Sequence, residues 1–507
     1  MKFRLQRFAL YLSAAFLIGS TIESRAFALL GPVQPWMQTT NGVIFPDDIG
    51  GPMCISNGYR WNVPVVTYGF DQSFLNYFGS NGVAAVESAI QILNDLPPAS
   101  QIVLTNFPFE TQNQNYEAQA DSLIDLKSVT LSLLSEHLGL AQPTRSIYVL
   151  RQWNSVLFNE SSLLLDVFDG TTLTNYIVTR NYDPQYLTPS PYVNETLYSG
   201  QVFDSVNRQV IIPFAADPLA DTYSAVADGI VPDIVGTGFF YRGLTYDDVG
   251  GLRYLIATNN VNYETLLPGV QGVGTNSNSF VNGAWRPGVD KITFIPQPVD
   301  SLLGTFLPTT NCFTDNYITN GILIQQQMAR VISQPDFIFS AGDVTTGIPE
   351  FPFYMRTGTT SWLNNATANG NTNGAGPGVI RPQVQIVFNK VGRLLTSDNN
   401  ISENQALDYS EYWGSFDGST NAPVVYPMPQ TGTNQMTVRM WLTFAGNLSE
   451  NIVWKPSSLA GAPFAMQTST NLMNWTTLFT VTNNSSVCTY FNDNPVSSSR
   501  FYRLIPQ

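Results

Sequence analysis

Only three cysteines, Cys54, Cys312 and Cys488, are spread over 507 residues, so at most one disulfide can form and one thiol is left over. The sequence leaves open whether Cys54 pairs with Cys312 or with Cys488. A chain of this length without a covalent scaffold must hold itself together with packed apolar cores, and one core does not serve it, so about two to four domains are expected. Charged residues make up 12% of the chain and the formal net charge is −14. No basic stripe is available to neutralise phosphates, which excludes nucleic acid as a partner. Asn, Thr, Gly and aromatic residues are plentiful instead, a composition suited to exposed β-sheet with many turns.

The N-terminus reads as an export signal. Lys2, Arg4 and Arg7 precede an apolar run over residues 8–20, and Ala26-Phe27-Ala28 supplies an A-x-A cleavage site. The apolar run is shorter than the ~20 residues of a membrane-spanning helix. The chain is therefore expected to be secreted or held at the cell surface, with no integral membrane span after cleavage.

Beyond an irregular leader, residues 61–70 alternate as a strand. An amphipathic helix is expected over residues 82–96, where Val83, Val86, Ile90 and Leu93 share a face and Pro97-Pro98 ends it. Residues 101–107 read as a strand, and a second helix starts at Asp121 or Asp125 and ends at Gly139. A third helix covers residues 244–255, capped by Thr245 with Asp247 and Asp248 in its first turn. A further helix is expected over residues 322–332. Residues 364–378 read as a flexible loop, and residues 384–388 and 436–444 as strands.

The strand WNVPVVTYGFD, the helix VAAVESAIQILNDL, the second helix ending Ser135-Glu136-His137-Leu138-Gly139-Leu140 and the segment LTYDDVGGLRYL together resemble matrixin-like metzincin proteases, over roughly residues 58–256. The resemblance implies an α+β metzincin-like N-terminal domain. That family's chemistry needs H-E-x-x-H-x-x-G-x-x-H, three His ligands for zinc and a Glu as general base. With Gly139 on the motif glycine, the ligand positions hold Ser132, Glu136 and Gln142, and the base position holds Leu133. His137 is the only histidine in the chain. A His-rich zinc site, a Ser-His-Asp triad built elsewhere and a Cys-His pair therefore all lack their parts. His137 is expected to lie partly exposed in a last helical turn, and Ser128, Ser132, Ser135 and Glu136 to form the helix's polar face.

Carboxylate chemistry has candidates in Asp166 with Asp169, Asp247 with Asp248, and Asp408 with Glu411. Asp398, Asn400, Ser402 and Glu403 form an oxygen-rich turn without the glycine of an EF-hand loop, so structural calcium is left open with no site assigned. No other cofactor is expected.

The tail, with Met466, Gln467, Ser469, Thr470, Asn471, Leu472, Trp475, Leu478 and the closing Arg500-Phe501-Tyr502-Arg503, resembles a C-terminal module of secreted proteins from Verrucomicrobia and related bacteria. It implies a small β-sandwich-like module, with Trp475 and Phe501 expected between its sheets. Residues from about 285 onward also resemble an uncharacterised family of the same bacteria. The expected division is a signal peptide (1–28), an irregular leader (29–57), a metzincin-like domain without its zinc motif (58–260), a β-rich central region (261–445) and the C-terminal module (446–507). The expected function is a secreted binding or structural protein whose partner is an extracellular protein or glycan. The alternative is an extracellular hydrolase using carboxylates or a non-His metal site.

Overall fold

The computed structural model describes residues 25–38, 41–44, 48–153, 175–205, 208–220, 225–228, 236–274, 280–300, 304–342, 361–364, 377–389, 412–426, 436–443, 449–456, 463–471, 473–482, 489–493 and 501–506. These residues are β-rich, with few helices and many small sheets.

Strand β1 (Phe27–Gly31) and strand β2 (Val65–Phe70) lead into helix α1 (Gln72–Asn94), and helices α2 (Leu126–His137) and α3 (Tyr246–Ile256) follow. Strands β3 (Asn262–Thr265), β4 (Val270–Gly272), β5 (Gly283–Arg286), β6 (Thr293–Pro296), β7 (Thr309–Thr319), β8 (Ile322–Ile332), β9 (Phe337–Gly342) and β10 (Val384–Asn389) come next.

At the centre lies a four-stranded sheet in the order β6-β2-β9-β10, parallel throughout. Parallel strands covered on both faces read as nearly continuous apolar runs, as VVTYGF, FIFSAG and VQIVFN do. Phe70 stacks on Phe339 at 5.4 Å and meets Phe74 of α1 at a tilt, ring centroids 5.0 Å apart, which seats the helix on the sheet. Asp71 caps α1 by accepting from the Phe74 amide at 3.0 Å and ties it to β9 by accepting from Ser340 Oγ at 2.7 Å. That cap starts the helix about ten residues earlier than its apolar periodicity alone predicts, and the backbone breaks at Gly79.

The boundary expected at residue 260 does not divide the packing. The largest apolar cluster draws on residues from Phe27 to Tyr426. Arg60 reaches Glu264 at 2.8 Å with both side chains buried, and its guanidinium also donates to the carbonyls of Leu255, Asn260 and Arg286. Asp336 accepts from the Thr67 amide at 2.9 Å and pairs with Arg330. Each charge meets several partners, as a charge held away from water requires.

A second sheet has the order β3-β5-β7-β8-β4 and is antiparallel throughout. Residues 322–332, expected to be helical, are instead the long strand β8. Asn320 (φ 49°) and Gly321 (φ 76°) supply the paired positive φ of a two-residue hairpin turn, which folds β8 back on β7 from Thr319↔Ile322 to Thr309↔Ile332. Residues 101–107, expected to be a strand, form two short 3-10 turns, Ala99–Gln101 and Leu104–Asn106.

Residues 25–31 are part of the fold. β1 pairs with Gly51–Met53, Leu140–Ala141 and Asn181–Tyr182, so the expected irregular leader contributes a buried strand. The Ala26 amide donates to Asp247 Oδ2 at 2.8 Å, and the Arg25 guanidinium lies over the rings of Tyr246 (4.0 Å) and Phe109 (4.4 Å). The cleavage position expected after Ala28 falls inside β1. The small residues that match a processing site are also those that fit a closely packed strand.

The C-terminal region holds two three-stranded antiparallel sheets. One joins Met436–Thr443, Ser449–Pro456 and Thr489–Asp493, and the other joins Pro463–Ser469, Thr476–Thr482 and Phe501–Pro506. Pairing of 436–443 with 449–456 places that strand with the C-terminal sheets, across the boundary expected at 446. Phe501 is 38% exposed and the Arg503 guanidinium covers Trp475 at 4.2 Å, so neither aromatic is the core residue it was expected to be.

A fragment ending at residue 260 lacks β6, β9 and β10 and the Glu264 carboxylate that meets Arg60. Expressed alone, it is expected to show no cooperative transition in scanning calorimetry. A cooperative transition at the temperature of the full chain would contradict the shared core.

Candidate functional site

Helix α2 carries the positions that would hold zinc in the resembled family. Asp125 caps it, accepting from the Ser128 amide at 3.0 Å and from Ser128 Oγ at 2.5 Å, while Ser128 Oγ in turn accepts from the Tyr241 amide at 2.7 Å. Every residue of α2 except Lys127 is buried. Ser132, Leu133 and Glu136 are 0%, 2% and 2% exposed, and Gln142, beyond the helix, is 6% exposed. The serines expected on a solvated polar face face the interior instead. Thr130 and Ser135 bond back to the carbonyls of Leu126 (2.7 Å) and Leu131 (2.8 Å), which satisfies their hydroxyls without water.

His137 is buried too, contrary to the exposed position expected. Its Nδ1 lies 2.7 Å from the Leu133 carbonyl and its own carbonyl accepts from Trp61 Nε1 at 2.9 Å. Gly139 follows with φ 115°, and a Cβ there would stand 2.3 Å from the Tyr59 carbonyl, so the helix can end this way only at glycine. A catalytic zinc site keeps one coordination position open to water and substrate. The positions that the resemblance aligns with that motif, Ser132, Leu133, Glu136 and Gln142, are all buried.

Beneath the start of α3 sits a second set of polar groups. Thr245 and Asp248 form a reciprocal capping box, and Asp248 also accepts from the amides of Val226 and Ala227, each at 3.0 Å. Asp247 accepts from the amides of Ala26 and Asn194. Asp228 accepts from the amide and the hydroxyl of Thr144. Three buried carboxylates thus fasten four separate segments to α3 and to one another. Burial pushes the carboxyls of Asp247 and Asp248 above the ordinary range, and pushes Asp228 up to about 7, with a smaller contribution from the nearby Asp248. Asp247 and Asp248, one of the carboxylate pairs singled out in the sequence, are committed to backbone amides. Asp228 was not singled out, because a lone Asp carries no local signal.

Other sequence candidates fall elsewhere. Asp166, Asp169, Asp398, Asn400, Ser402, Glu403, Asp408, Glu411 and Cys488 lie outside the described residues. Cys54 and Cys312 are free thiols, half-buried and exposed respectively. Among the described residues, no three His, Cys, Asp or Glu side chains converge as metal ligands would, and no helix is long and apolar enough to cross a membrane.

An open cleft of about 490 Å³ lies between the end of α1 and residues 242–244, with Ile92, Leu96, Phe107 and Leu244 on its walls and Asp95, Glu110 and Arg242 at its polar edge. None of Ser132, Leu133, Glu136 and Gln142 lines it.

Compared with family models, curated proteins and solved structures, the chain finds no match.

The proton held by Asp228 sets a pH dependence. Between the ordinary carboxylate value of 3.8 and about 7, the folded chain keeps a proton that the unfolded chain has released, so stability falls as pH rises through that window. Asp228→Asn is expected to make this decline shallower in chemical denaturation run at pH 5, 6, 7 and about 8. An unchanged slope would show that Asp228 ionises normally in the folded chain.

Proposed function

We propose that the chain is a secreted or cell-surface binding protein in which a metzincin-like arrangement of helices survives as scaffold without protease chemistry, a pseudoenzyme in that sense. The observation that carries this reading is the closure of Ser132, Leu133 and Glu136 inside α2's packed surroundings, where no substrate carbonyl and metal-bound water could meet. The carboxylates of Asp247 and Asp248 support it from the other side. They hold Ala26, Asn194, Val226 and Ala227 in place, which gives them a structural occupation that a general acid or base would have to abandon. A fold alone does not imply the activity of its relatives, and here the reacting groups are missing.

The test separates stability from turnover. Asp247→Ala leaves two amides without an acceptor in the interior and is expected to cost about 3 kcal/mol or more of unfolding free energy. Incubation of the intact chain with denatured proteins and with polysaccharides is expected to release neither new amino termini nor reducing ends. Turnover that disappears in Glu136→Gln or Asp247→Asn, while the melting temperature holds, would overturn the proposal.

A further inference from the structure

The antiparallel sheet β3-β5-β7-β8-β4 segregates its side chains by chemistry. Alternation along a strand sends successive residues to opposite faces, and paired residues share a face. On the inner face, Arg286 meets Asp315 at 2.9 Å, Glu264 meets Arg60 and Arg330 meets Asp336, all buried. On the outer face, the pairs Tyr263↔Trp285, Trp285↔Ile318 and Ile318↔Leu323 line up one residue from each of four adjacent strands. This row spans about 14 Å at the usual strand spacing. Trp285 is 49% exposed and Leu323 58% exposed, with Tyr263 and Ile318 half-buried beside them. The rings of Tyr263 and Trp285 meet edge to face at 5.8 Å, and the absence of a side chain at Gly283 leaves room for the Tyr263 hydroxyl.

The rows next to this stripe are amides and hydroxyls. Gln325 Nε2 donates to Asn316 Oδ1 at 3.0 Å, and Gln327 Nε2 donates to Thr314 Oγ1 at 3.0 Å. These bonds hold the side chains flat along the sheet with polar atoms still facing water. No Asp, Glu, Lys or Arg belongs to this face on any of the five strands. In a chain with net charge −14, a face with neither sign of charge is selective in itself. It offers nothing to an ionic partner and repels nothing neutral.

We propose that this face binds a neutral polysaccharide. The proposal deepens the binding reading above and rests on it. A pyranose ring presents an apolar C–H face that lies against an indole or phenol ring, and hydroxyls at its edge that exchange hydrogen bonds with amides. The outer face supplies both, in adjacent rows on rigid strands. Exposed Trp and Tyr also give the largest contact area for the least ordering cost, and central aromatics carry most of the energy of such contacts. A flat, extended row suits a chain of sugars lying along it, where a deep pocket would suit a single one.

The experiment uses the full chain. Retention is measured on microcrystalline cellulose and in native gels containing soluble mixed-linkage glucan or galactomannan, with polygalacturonate as the anionic control. Retention on at least one neutral polysaccharide is expected, with little change between low and high salt because no ion pairs are made. Trp285→Ala should weaken it about tenfold or more, and the double variant Gln325→Ala/Gln327→Ala should weaken it independently through exposed side chains. Tyr116→Ala, exposed elsewhere at 61%, should leave it unchanged. No retention on any neutral probe, or retention indifferent to Trp285→Ala in a folded variant, would overturn the assignment. A wild-type dimer in analytical ultracentrifugation that Trp285→Ala converts to monomer would also overturn it and give the face to a second copy of the chain. Reducing ends released by a chain that still needs Trp285 for retention would support the ligand assigned here and contradict the non-catalytic reading instead.

Discussion

Strand β2 is the constraint on which the rest depends. It occupies an interior position in a parallel sheet whose other members lie more than two hundred residues downstream, pairing Val65 with Thr293 and Tyr68 with Phe337. Parallel neighbours cannot be joined by a tight turn, so the chain between them must travel across the sheet's faces. Helices α1, α2 and α3 and the whole second sheet are built in those excursions. A buried ion pair and a buried hydrogen bond follow the same path: Arg60 to Glu264 just before β2, and the Thr67 amide within it to Asp336, fasten the residues around β2 to the middle of the chain. Each such contact closes a long loop, and the loop entropy is offset only when many form together. That is why no boundary at 260 appears.

The same closure explains why the polar residues of α2 are buried. α2 packs against α1 and neighbouring strands with only Lys127 facing out. A helix in that position can be polar only where the polarity is hidden. Thr130 and Ser135 hide it by bonding to the preceding turn, and His137 does so through the Leu133 carbonyl. The acids under α3 follow the same rule, with carboxylates acting as acceptors for amides that would otherwise be buried and unpaired. What Asp247 and Asp248 do is decided by the amides around them.

Elements governed by local signals were legible in the sequence. Asp125, one of the two starts weighed with Asp121, caps α2; Thr245 announced the start of α3, and Val384 to Phe388 announced β10 through its apolar run. Properties set by distant neighbours were not. Nothing local distinguishes a serine on a solvated face from Ser132 in a core, and a lone Asp228 has no motif. The segment Ile322–Ile332 has apolar residues compatible with a helix, and only the Asn320-Gly321 turn and its pairing with β7 decide for a strand. With that segment read as a helix, the row formed by Tyr263, Trp285, Ile318 and Leu323 could not be assembled, because it exists only once four strands are in register. The candidate surface was therefore hidden by one wrong period.

α2 supports a packed core, and on the function proposed above it carries no catalytic metal. Zinc content of the full chain, purified without chelators and measured by elemental mass spectrometry, tests this. Zinc far below one per chain is expected. Stoichiometric zinc that survives dialysis would contradict it, and would require a site built from carboxylates and cysteine in place of histidine.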